Sequence, residues 1–169
     1  MKVKLTSFDR TCLLLSAVLT AAIFVWLCQI WPHLPEKVAM SFNSAGHPVK
    51  QDSRAMLFML PSINLLILAV FLFGTRLIGT GGKGWNWFVP VTDKNREREI
   101  RAALSMMSLV ILEITLMIAF VQAAILLPFA GGPNIYRPWT GFVAIVPVFL
   151  TILWHWSAAV ERNADGRQG

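Results

Sequence analysis

Four apolar stretches, each long enough to cross a bilayer, occupy more than half of this chain and leave it few ways to fold. They run Thr11–Trp31, Ala55–Ile78, Ala102–Leu127 and Trp139–Val160. A hydrocarbon core about 30 Å thick takes roughly 20 helical residues to span. Inside it every backbone N–H and C=O must be paired, which leaves only helices or closed barrels. The runs are continuously apolar rather than alternating, so a barrel is excluded. The expected fold is an all-α integral membrane protein, one four-helix domain over residues 1–169. Because 56% of residues are hydrophobic and 14% charged, only short loops remain and a separate soluble catalytic domain has no room.

The net charge of +6 is a report on topology rather than on nucleic acid. Lys2, Lys4 and Arg10 precede the first span. Arg76, at the inner end of the second span, and Lys83, Lys94, Arg96, Arg98 and Arg101 belong to the connection to the third, and Arg162 and Arg167 follow the fourth. Lys37, Lys50, Arg54 and Arg137 lie on the other side, a distribution of 11 against 4. Basic loops stay cytoplasmic, so both termini and the basic loop 79–101 are expected inside and the loop 32–54 outside. Some attraction to anionic headgroups follows from the same charges. Trp31 and Trp139 fall at the outer boundary, and Trp85, Trp87, Trp154 and Trp156 near the inner one. Indoles favour both of these interfaces.

The first stretch has a basic start, but its apolar run is long and ends in Cys28-Gln29-Ile30-Trp31-Pro32 rather than in small residues. It therefore reads as a span and not as a cleaved signal peptide. Cys12 and Cys28 sit at opposite ends of that helix, roughly 24 Å apart, too far to bridge.

Between the first two spans, the alternation Val38, Met40, Phe42 fits a short extended segment, and Asn43-Ser44-Ala45-Gly46 supplies turn chemistry. On the other side Gly79-Thr80-Gly81-Gly82-Lys83-Gly84 ends a helix. The aromatic run Trp85 to Pro90 suits the headgroup layer. The segment from Lys94 to Arg101 is helix-forming and should continue into the third span as one rod. The glycines lack the strand and the Gly-Lys-Ser/Thr of a phosphate loop.

Glu113 stands near the middle of the third span, where a charged residue costs roughly 2.5–3.5 kcal/mol on insertion scales. Such a carboxyl stays neutral, pairs, or faces a wet cavity. Asn64, at similar depth in the second span, is the expected partner, either in a packing hydrogen bond or in a proton- or ligand-responsive core. Pro61 and Pro147 each remove a backbone donor within a span and should bend it. His33 and His47 share the outer loop with Glu36 and Asp52, but no His-Glu-x-x-His or paired-cysteine spacing accompanies them, so no metal is expected. No triad partner accompanies the serines and threonines of the spans, so the chain is not expected to be an enzyme. No cofactor is implied.

The outer loop carries a family likeness. Leu34-Pro35-Glu36-Lys37-Val38, then Phe42-Asn43, Gly46 and a polar tail from Lys50 to Arg54 resemble the bacterial membrane domain of unknown function at the N-terminus of SdpI-type proteins. The chain departs at Ser41, where that pattern often has His, and at Val49-Lys50-Gln51, where an acidic residue and an aromatic are usual. Asn86-Trp87-Phe88 and Asp93-Lys94-Asn95-Arg96-Glu97 also look like a segment that some members carry before their third span. The resemblance implies an extracytoplasmic recognition loop in a bacterial inner-membrane protein, with roles in immunity to a secreted peptide or in signalling. On that reading Leu34, Pro35, Glu36, Phe42, Asn43 and Gly46 meet the ligand. Asn95, Arg96, Arg98 and Arg101 meet cytoplasmic partners or lipid, and Asn64 and Glu113 set the helix packing. The alternatives are an accessory subunit of a larger membrane-protein complex and a small proton-coupled transporter using Glu113.

Overall fold

The computed structural model describes residues 4–43, 48–79, 95–132 and 140–165. The order is α1 (Ser7–Ile30), a 3-10 turn (Trp31–His33), β1 (Lys37–Phe42), β2 (Pro48–Ser53), a second 3-10 turn (Arg54–Phe58), α2 (Met59–Gly79), α3 (Arg96–Leu126), a third 3-10 turn (Leu127–Ala130) and α4 (Thr140–Asp165). Three stretches, Ser7–His33, Arg54–Gly74 and Arg96–Ala130, are long and apolar enough to cross a membrane, with mean hydropathy of 2.3, 2.5 and 2.4. The fourth expected span is present as a shorter apolar segment, Ile145–Glu161, within α4. As expected, the charged stretch ahead of the third span joins it in one rod of 31 residues.

α1, α2 and α3 pack on one another, and α4 packs against α3. The buried positions show how. On α1 they include Asp9, Leu13, Ser16, Thr20, Ile23, Leu27 and Ile30; on α3, Ile100, Leu104, Ser108, Ile111, Thr115, Ile118 and Gln122. The second stretch buries Leu57, Pro61, Asn64, Leu68 and Phe71. Nearly all these steps alternate between four residues and three. That 3.5-residue spacing is the seam of helices wound gently around each other, with side chains of one seated between those of the next.

The bundle buries polar side chains among its apolar core and turns large apolar ones outward. Ser16, Thr20, Asn64, Ser108, Thr115 and Gln122 are buried, whereas Leu66, Val70, Phe73 and Phe149 point outward. Lipid tails are as apolar as leucine, so burying leucine gains little there. Hydrogen bonds and close packing then hold the helices together.

The sequence anticipates one extended segment after α1; the chain forms two. β1 and β2 make an antiparallel hairpin with Lys37 opposite Ser53, Val38 opposite Asp52 and Ala39 opposite Gln51. The register shifts between Ala39 and Ser41 and again before Phe42, which pairs with Pro48. Pro-Val-Lys-Gln-Asp-Ser is a weak strand by composition, and pairing with β1 supplies what its propensity does not. The expected turn at Ser44, Ala45 and Gly46 lies outside the described residues.

Candidate functional site

Two features stand out: the hairpin with its mooring, and a polar thread through the bundle. Leu34 and Val38 descend from the hairpin strap into a cluster with Leu27 and Ile30 of α1, Leu57, and Leu126 of α3. Trp26, Trp31 and Phe58 close around it. Arg54 fastens the other strand. Its Nη1 donates to the carbonyl of Leu34 at 3.1 Å and of Trp31 at 3.3 Å, and its guanidinium lies 4.6 Å from the centre of the Trp31 ring. Its backbone N–H donates to the Glu36 carbonyl at 3.0 Å. One planar cation thus ties the exit of α1 to the entry of α2, a task suited to a fork of donors and a stacking face.

Of the expected contact residues on this loop, Leu34 is buried and serves the mooring. Pro35, Glu36 and Asn43 are exposed, as is Val49 on the second strand. Phe42 ends β1 opposite Pro48, and Gly46 lies outside the described residues. Lys50 pairs with Asp52 at 3.0 Å on the exposed surface.

The polar thread corrects an expectation. Asn64 does not meet Glu113. Its Nδ2 donates to the Thr20 hydroxyl of α1 at 2.7 Å and to the Thr115 hydroxyl of α3 at 3.1 Å. Those hydroxyls donate in turn to the carbonyls of Ser16 and Ile111 on their own helices, at 2.7 and 2.8 Å. One amide therefore joins three helices. Glu113 is two residues from Thr115, so it points about 200° away around α3. It faces α4, where the Thr151 hydroxyl donates to its Oε1 at 2.6 Å. Its Oε2 is buried and meets no partner among the described residues. One turn further along α4, His155 Nδ1 lies 3.0 Å from the Thr151 carbonyl. A carbonyl only accepts, so this contact places the proton on Nδ1.

Pro61 is the third residue of α2, directly after the 3-10 turn Arg54–Phe58, and without an N–H it cannot donate to a carbonyl of that turn. The Leu57 carbonyl, four residues earlier, is instead met from another helix: Gln122 Nε2 of α3 donates to it at 3.1 Å.

Sequence reasoning passed over Asp9. The Thr6 hydroxyl accepts from the Asp9 N–H at 3.2 Å, and Asp9 Oδ2 accepts from the Thr6 N–H at 2.7 Å. This reciprocal cap opens α1. The second oxygen, Oδ1, accepts from the Ser105 hydroxyl of α3 at 2.7 Å. The signal was available as Thr6-x-x-Asp9 just before an apolar run. At the same end, Arg98 pairs with Glu99 at 3.3 Å and Arg101 with Glu97 at 2.9 Å. Asn95 lies before α3 as its N-cap, and its backbone carbonyl accepts from the Glu99 N–H at 3.0 Å.

These features describe a mostly helical protein with apolar helices long enough to span a membrane, polar side chains bonded between helices, and a strand hairpin moored at one end. Comparison with family models, with curated proteins and with solved structures gives no match.

Proposed function

We propose that this chain is a non-enzymatic, multi-pass protein of the bacterial inner membrane, of SdpI-related type, that binds an extracytoplasmic peptide or protein through its hairpin in an immunity or sensing role. In this reading both termini are cytoplasmic and the hairpin faces outward. The observation that carries it is the mooring: Leu34, Val38 and Arg54 couple the hairpin to α1, to the 3-10 turn that leads into α2, and to α3. A ligand that shifts the strands acts directly on the helix ends beneath them. Pro35, Glu36, Asn43 and Val49 form the exposed surface available to it.

The test is photo-crosslinking in intact cells from a photoreactive residue at position 36, 43 or 49. The expected product joins the hairpin to an extracytoplasmic peptide or protein, and Asn43→Ala weakens it while leaving membrane insertion unchanged. Adducts with lipid alone at all three positions would refute the reading. Stoichiometric recovery of a larger membrane complex in mild detergent would replace it with the accessory-subunit reading.

A second reading rests on Glu113. A carboxyl held between α3 and α4 by one hydroxyl, with its other oxygen buried, suits a proton-handling group in a small transporter. Proton-coupled flux in reconstituted vesicles that survives Glu113→Gln excludes it.

A further inference from the structure

Between α2 and α3, on the half of the bundle away from the hairpin, lies a groove of about 480 Å³. That volume is within the ~300–1,000 Å³ of ordinary ligand clefts. Its walls are carbon: Leu66, Val70, Phe71 and Gly74 on α2, with Met107 and Ile114 among those on α3. We propose that this groove holds an acyl chain of one anionic phospholipid whose headgroup is met by Arg96.

Gly74 gives the first reason. Glycine inside a helix is unfavourable relative to alanine. A Cβ at Gly74 would meet no atom within 4 Å, so no neighbouring element requires the small residue. What the missing side chain provides is depth in the groove. A transmembrane helix seated there would ask for a second small residue one turn away. Positions four residues on either side of Gly74 are Val70 and Ile78. A thin, flexible alkyl chain needs only the one notch.

Arg96 gives the second. It lies 11 residues before Met107, about three turns of α3, and so falls on the same helix face as the groove. The three arginines of α3 differ. Arg98 and Arg101 each pair with a glutamate of α3, whereas Arg96 pairs with no carboxylate among the described residues. The axial separation of Arg96 and Met107 is about 16 Å. One leaflet with its headgroup layer is roughly half of 40–45 Å deep, so a single phospholipid reaches both. An unpaired guanidinium offers a phosphate a planar, charge-assisted fork.

The experiment is native mass spectrometry of the full chain in detergent, delipidated and then titrated with phosphatidylglycerol or with phosphatidylcholine of the same chains. The wild type is expected to retain one phosphatidylglycerol at least fivefold more readily than phosphatidylcholine. Gly74→Phe, which places a ring in the open notch, should abolish retention of both. Arg96→Gln, at the half-buried start of α3, should keep retention but erase the preference. Inorganic phosphate should fail to displace the lipid. Unchanged retention in Gly74→Phe, or an unchanged preference in Arg96→Gln, overturns the proposal. Should Gly74→Phe not fold, the Arg96→Gln arm decides alone.

Discussion

Replacing Asn64 with leucine asks how much one amide contributes to holding three helices. Leucine has the same heavy-atom branching as asparagine but offers no donor, so Thr20 and Thr115 lose the Nδ2 contacts at 2.7 and 3.1 Å. Neither hydroxyl is stranded, because each still donates to a carbonyl of its own helix. The cost is therefore the loss of two interhelical bonds and not the larger penalty of an orphaned polar group. Intramembrane side-chain hydrogen bonds average ~0.6 kcal/mol and reach ~1.7. Two of them put Asn64→Leu at about 1–2 kcal/mol. The assay is reversible unfolding in mixed micelles titrated with a denaturing detergent, run as double-mutant cycles. Asn64→Leu should couple to Thr20→Val and to Thr115→Val, and should be additive with Glu113→Gln. Sites without shared partners add within about 0.3–0.5 kcal/mol. Coupling of Asn64 to Glu113 that equals or exceeds its coupling to Thr115 would refute the arrangement.

Gln122→Leu leaves the Leu57 carbonyl without its donor in a dry setting, so a loss of about 1–3 kcal/mol is expected in the same assay; a neutral result would mean that water serves that carbonyl. Arg54→Lys keeps the charge but loses the fork and the stacking on Trp31. It should cost about 1–2 kcal/mol and speed proteolysis of the hairpin in vesicles, with helix content unchanged by circular dichroism. Asp9→Ala removes the carboxylate half of the cap of α1 and its link to Ser105, and should lower the unfolding midpoint more than Thr6→Ala, which removes only the hydroxyl half of the cap. Equal effects would show that the Ser105 contact contributes nothing.

The helices were legible because length and apolarity alone decide what can cross a membrane. Their rotation was harder to read, since lipid-facing positions are as apolar as buried ones and the usual stripe disappears. The polar residues still carry that phase. Ser16 and Thr20 are one turn apart, and Ser108, Thr115 and Gln122 recur every seven residues. Glu113 breaks that spacing, which is the reason a pairing inferred from depth alone failed. β2 was missed because lysine, glutamine and aspartate do not favour strands. Its place is set by β1 and by Arg54, a long-range arrangement invisible to local pattern.

The bond between Gln122 and the Leu57 carbonyl bears on how this protein is made. Ribosomes deliver α2 before α3, so Pro61 enters the membrane when its natural compensation has not yet been synthesised. Until Gln122 is made, the Leu57 carbonyl has no donor from α3. Packing of α3 against α2 then supplies it, so the entry to the second helix is completed by a residue near the end of the third.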